Sequence, residues 1–140
     1  MEGTAKEFTI RPWEPRDRPA VQALLKLLSE DAEVTASDAP AYVAERDGAV
    51  VGMVTLCVFT TLTGAKAYLD HLVVAPGSRG SGIGRALVEY AIERARDAEA
   101  SRVDLTANAT KHAGHALYRS LGFEERQTSN FPLRIAPEGT

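Results

Sequence analysis

Apolar and polar residues alternate along Phe8-Thr9-Ile10-Arg11, which predicts a first strand over 8–11, since successive strand side chains face opposite sides. Pro12, Pro15 and Pro19 then impose a turn region. Asp17 is placed to cap a helix whose first turn tolerates Pro19. Val21, Leu24, Leu25 and Leu28 follow at helical spacing and predict one apolar stripe. Residues 29–40 carry few large apolar side chains and read as a loop, either a substrate-facing segment or a plain connection.

Strands are predicted over 41–45 and 50–59, joined by a tight turn at Arg46-Asp47-Gly48. A second turn over 60–64 leads to a strand over 66–74, completing an antiparallel meander. A glycine-rich loop spans 75–82, and a helix follows with Ile83, Leu87, Ala91 and Ala95 on one stripe. A strand over 102–107, a helix over 111–121 stopped by Gly122, and strands over 124–128 and 131–135 complete the chain. The order is β-α-β-β-β-α-β-α-β-β. The strand–loop–helix–strand passage in the middle makes two central strands parallel, so the sheet is mixed.

Composition narrows the reading. The chain has 140 residues, 44% hydrophobic and 25% charged, which suits one compact α/β domain with loose ends of about seven and five residues. The net charge of -3 argues against nucleic acid as a partner. No apolar run is long enough to span a membrane, and the polar start does not resemble a secretory leader, so a cytoplasmic location is expected. The one cysteine, Cys57, lies in an apolar run and reads as a small buried strand residue. His112 and His115 are three apart on one predicted helix, but no further ligands stand at sensible spacing, so no metal is expected.

The chemistry concentrates in Arg79-Gly80-Ser81-Gly82-Ile83-Gly84-Arg85, which follows a strand and opens a helix. Glycines let backbone N–H groups approach a ligand, and a helix start offers free donors and partial positive charge, a combination suited to pyrophosphate. A P-loop would need Lys after its last glycine, where Arg85 stands. A dinucleotide fingerprint needs G-x-G-x-x-G early in the fold, whereas Gly80, Gly82 and Gly84 come late and at spacing two.

The arrangement that fits is [RQ]-x-x-G-x-[GA], met from Arg79 to Gly84. Leu69-Asp70-His71-Leu72-Val73-Val74 before it, and Ala116-Leu117-Tyr118-Arg119-Ser120-Leu121-Gly122-Phe123 after it, complete a pattern in which the chain resembles the GNAT family of N-acetyltransferases from about residue 8 to 135. The resemblance implies a central mixed sheet flanked by helices, with two parallel strands splayed around the pantetheine arm of acetyl-CoA. It places Val73 and Val74 there through their backbone, with Leu72 adjacent and residues 103–107 as the second arm. It rests the pyrophosphate on the amides of Arg79, Gly80, Ser81, Gly82, Ile83, Gly84 and Arg85. Asn108 either bonds the pantetheine or caps a loop.

For catalysis the resemblance implies Tyr118 as the acid that protonates the departing thiolate, with direct attack in a ternary complex and a backbone N–H near Val73 holding the oxyanion. Asp70 is the candidate base; it alternatively binds the substrate amine or is structural. Simple alternation puts Asp70, Leu72 and Val74 on one face and His71 on the other, where His71 is either a second candidate base or an ordinary hydrogen-bonded sheet residue. The acceptor is expected to be a small-molecule amine. A protein amine, or acyl-CoA binding without turnover, are the competing readings. A homodimer is expected by analogy with relatives only.

Overall fold

A computed structural model describes residues 7–35, 40–107 and 112–136. Its core is a five-stranded sheet in chain order, β1 (Thr9–Pro12), β2 (Ala41–Arg46), β3 (Ala49–Thr61), β4 (Gly64–Val74) and β5 (Val103–Asp104). Pairing is antiparallel from β1 to β4 and parallel between β4 and β5. Antiparallel neighbours need only short turns, and the meander has them. Asp47 and Gly48, with φ of 53° and 80°, form the two-residue turn between β2 and β3 expected of an Asp-Gly pair. The next turn shrinks to Leu62 and Thr63, because β3 and β4 run further than their apolar pattern predicted.

Helices α1 (Arg18–Lys26) and α2 (Ile83–Asp97) cover opposite faces. Val21, Leu24 and Leu25 of α1 pack on Val43, Met53 and Val73. Ile83, Leu87, Val88, Ala91 and Ala95 of α2 pack on Ala44, Val54, Leu56, Ala67 and Leu69. Met53 and Val54 are neighbours in β3 yet belong to different clusters, as strand alternation requires. Helix α3 (His112–Ser120) joins the α2 side through Tyr118 and ends where Gly122 turns to φ 100° and Phe123 N–H reaches the Tyr118 carbonyl at 3.0 Å.

At the entrance to α1, Asp17 does not cap the α-helix; it closes the preceding 3-10 turn (Pro15–Asp17) by accepting from the Glu14 N–H at 2.7 Å. Arg11 of β1 grips it with two bonds, 2.8 and 2.9 Å, and gives its Nε to Glu45 of β2 at 2.9 Å. The first strand, the turn and the second strand are thereby tied at one buried carboxylate.

Three expectations fail. Cys57 is exposed, because it faces the α1 side of β3 beyond the end of that helix's cover. The strand predicted over 102–107 shortens to Val103–Asp104, since it pairs with β4 only at Ala67 and Tyr68. Residues 124–128 and 131–135 form no strand; the first stretch is polar throughout, the second alternates but no described strand edge receives it, and Phe131, Leu133 and Ile135 are largely exposed. No helix among the described residues is long and apolar enough to cross a membrane.

Candidate active site

The site grows from an irregularity in β4. Thr55 pairs with Asp70 and Met53 pairs with Val73, so the single residue Val54 opposes both His71 and Leu72. This is a β-bulge, with His71 at φ 52°, a conformation costly for a residue with a side chain. One extra residue resets the alternation. Leu69, Leu72 and Val74 all turn to the α2 side, while Asp70 keeps to the face of Thr55. The expected shared face of Asp70, Leu72 and Val74 is therefore corrected: the bulge separates them. The same kink turns the His71 ring to the cavity that Asp70 lines, so His71 is no ordinary sheet residue.

That cavity, about 220 Å³, lies where β4 and β5 part, and Leu28, Asp70, His71, Thr106 and Tyr118 are among its walls. Leu105, Thr106, Ala107 and Tyr118 also border a wider groove of about 830 Å³ along β5 and the segment after α3. Tyr118 thus stands between two spaces. Its ring packs edge-to-face on Phe123, centroids 5.9 Å apart, and burial pushes its hydroxyl pKa up, which keeps it protonated. Tyr68 and Thr106 bridge β4 and the segment that follows β5 through a 2.8 Å hydroxyl pair.

Beyond the bulge β4 has no partner on its β5 side among the described residues. Ala75 N–H donates to the Val51 carbonyl at 2.8 Å, so Val74, opposite Gly52, forms a non-hydrogen-bonded pair with β3 and turns its own peptide groups to the gap. There the Val74 carbonyl accepts from Arg79 Nε at 3.0 Å. Val73 points its side chain into the α1 cluster, and its carbonyl would lie 3.3 Å from a Cβ at Gly52. Leu72 and Val74 lie against the α2 cluster.

The gap runs on to the glycine loop. Gly80 and Gly82 hold φ of 81° and 86°, and a Cβ on either would meet nothing within 4 Å. Both carry conformations that side chains resist, and both face open space, as a loop cradling a bulky anion requires. The Ser81 hydroxyl braces the loop from within through the Ser78 carbonyl. Gly82 is the residue before α2, and the free N–H groups of Ile83, Gly84 and Arg85 open the helix. Gly84 lies close to Val74 and Leu117, so the helix start is held against both β4 and α3. Arg85 reaches Ser120 at 2.6 Å and Glu89 at 3.5 Å. Asn108 lies outside the described residues.

Sequence reasoning missed Thr55, Thr106 and the orientation of His71. Nothing in the local pattern signals a bulge; the Asp-His pair in a run of apolar strand residues was the available sign.

A mixed sheet that opens beside a glycine-rich helix start offers backbone donors suited to an anionic ligand. The family model described as Acetyltransferase (GNAT) family matches residues 4–123, and the chain belongs to that family. It is 36% identical over 84 residues to an aminoalkylphosphonate N-acetyltransferase of Salmonella typhimurium, covering 59% of this chain and 54% of that protein. It is 33% identical over 118 residues to streptothricin acetyltransferase of Streptomyces lavendulae, covering 77% of this chain and 61% of the relative. The chain thus spans a little over half the length of these relatives. Among solved structures, a ribosomal-protein-alanine N-acetyltransferase from Brucella melitensis biovar Abortus superposes with a TM-score of 0.77 at 26% identity, covering 92% of this chain and 99% of that one.

Proposed function

We propose that the protein transfers an acetyl group from acetyl-CoA to a primary amine on a small molecule. The observation that carries this reading is the combination of an open glycine loop at the start of α2, a β4 end without a partner on its β5 side among the described residues, and a cavity walled by Tyr118, Asp70 and His71. The residues suit the ligand: Gly80 and Gly82 leave space for pyrophosphate, and Arg79 and Arg85 flank it with positive charge. Bound there, acetyl-CoA supplies a thioester, already activated toward attack by nitrogen.

The chain's own groups do the rest. The amides of Arg79, Gly80, Ser81, Gly82, Ile83, Gly84 and Arg85 hold the pyrophosphate. The exposed edge at Leu72, Val73 and Val74 aligns the pantetheine, and a backbone N–H of this edge stabilises charge as it grows on the carbonyl oxygen. The Val74 peptide already faces the gap, which makes it a suitable donor. Tyr118 gives its proton to the departing sulfur, and the Asp70–His71 end of the cavity receives the acceptor amine and its proton. The attack needs no covalent enzyme intermediate.

A small acceptor agrees with the modest cavity and with the aminoalkylphosphonate and streptothricin named for two relatives. Titration calorimetry with acetyl-CoA tests the first half: micromolar binding is expected, and Gly82→Glu should abolish it by placing bulk and negative charge in the cradle. A panel of small amines and of peptides with free N-termini tests the second. Turnover confined to peptides would replace the small-molecule reading with a protein acceptor. Absence of acetyl-CoA binding at millimolar concentration would end both.

A further inference from the structure

Thr55 lies outside the motifs that carry the resemblance, and His71 lies within one of them with no role assigned by it, yet the bulge builds a hydrogen-bonded chain around both. The Thr55 hydroxyl donates to the Asp70 carbonyl at 2.9 Å. Its oxygen also lies 3.2 Å from His71 Nδ1. A threonine hydroxyl has one proton to give. With that proton spent on the Asp70 carbonyl, the oxygen can only accept from His71, so Nδ1 carries the ring's hydrogen and Nε2 carries a lone pair. Nε2 lies 3.7 Å from Asp70 Oδ2. The other carboxylate oxygen, Oδ1, is held at 2.8 Å by the backbone N–H of His71 itself. The ring and the carboxylate are therefore fixed to one another by the left-handed turn at His71.

We propose that His71 Nε2 is the atom that takes the proton from the acceptor amine, with Asp70 as its counter-charge and Thr55 as the positioning residue that sets the tautomer. This deepens the acetyltransferase reading and rests on it. The His71 side chain is 46% exposed, open enough for a substrate to reach. A carboxylate beside Nε2 offers nothing to a neutral ring, since neither atom then carries a hydrogen. Once Nε2 gains a proton, the same carboxylate becomes an ion-pair partner. Among the described residues, the titratable groups that share this cavity with His71 are Asp70 on the same strand and Tyr118 on α3; β3 contributes Val54 to its wall and the neutral Thr55 to the ring.

The proton count closes. An alkylammonium gives one proton to His71 Nε2 and becomes a free amine. Its nitrogen bonds to the thioester carbonyl carbon, and the carbon–sulfur bond breaks. Tyr118 supplies one proton to sulfur, and the second proton shed by the nitrogen restores the tyrosine hydroxyl. His71 releases its proton to water, so the net release is one proton per turnover.

Two measurements test this. Nitrogen-15 NMR of the imidazoles, with His71 assigned by its loss in His71→Gln, should show Nδ1 protonated and Nε2 bare; a spectrum with hydrogen on Nε2 would overturn the proposal whether or not an acceptor is known. On an acceptor found in the amine panel, His71→Gln should lower kcat on the order of 100-fold with acetyl-CoA affinity unchanged. Added imidazole should restore part of the turnover of His71→Ala. Asp70→Asn should lose less than His71→Gln, and Thr55→Val should lose kcat while mixing the tautomers. If Asp70→Asn abolishes turnover and His71→Gln leaves it intact, Asp70 is the base and the proposal falls. A wild-type protein that binds no acetyl-CoA would instead remove the reading beneath it, while the tautomer result would stand.

Discussion

Tyr118 and Asp17 both sit in partly dry surroundings, yet their acid groups move in opposite directions. Burial alone acts on Tyr118 and raises its hydroxyl pKa above the ordinary value near 10. The group therefore keeps its proton throughout neutral pH and into mild alkali, as a general acid must. Tyr118→Phe should cut kcat on the order of 100-fold with little change in acetyl-CoA affinity, and steady-state rates beside calorimetry would read both. For Asp17 the two hydrogen bonds from Arg11 outweigh the cost of burial and hold its carboxyl below the usual range, with the Glu14 amide adding to the effect. A depressed carboxylate stabilises the fold above the unfolded pKa of about 3.9, and that stability is lost as pH falls through the folded value. Asp17→Asn should cost about 3 kcal/mol at neutral pH, because it leaves Arg11 short of a partner. It should also flatten the loss of stability between pH 5 and acid, as urea unfolding at several pH values would report. At this scale the place of Tyr118 on a helix before Gly122 was legible, while its role as acid is what the resemblance through Ala116 to Phe123 implies. Asp17 was visible only as a cap, because its partner Arg11 arrives through the fold.

Elements were readable where local chemistry sufficed. The Asp-Gly turn, the stripe of α2 and the stop at Gly122 follow from residues a few positions apart. The ends of strands were harder, because a strand lasts as long as its neighbour does, and β5 loses its neighbour after Asp104. The bulge in β4 was hidden for a related reason: it exists only as a mismatch between two strands. Gly52 illustrates a third kind of hidden information. In β3 it reads as a weak spot in an apolar run, yet a Cβ there would come within 3.1 Å of both Ile83 and Leu87. It is the place where α2 presses closest on the sheet. Gly52→Ala should therefore destabilise the protein by about 1–3 kcal/mol, despite alanine's better backbone propensity. A urea titration checks this; a neutral result would mean that α2 can rise from the sheet at little cost, and the helix start at the glycine loop would rise with it.

For the whole molecule the mixed sheet and its flanking helices followed from the order of elements, because a crossover between parallel strands needs a helix and an antiparallel meander does not. The cavity was less legible, since its walls come from Leu28 after α1, the bulge, the segment after β5 and α3, which meet only in three dimensions. The parting of β4 from β5 has a colloidal consequence as well. A strand edge with free peptide groups is a template for other strands, and folded proteins commonly blunt such edges. Here, among the described residues, the edge has no strand partner, and the tail carries exposed Phe131, Leu133 and Ile135 that alternate like a strand. A ligand lying along the edge would also act as its guard. Concentrated ligand-free protein should scatter more light on warming than protein saturated with acetyl-CoA, and Leu133→Lys should narrow the difference. If acetyl-CoA lies along this edge as proposed, it would keep the protein dispersed as well as supply the acyl group.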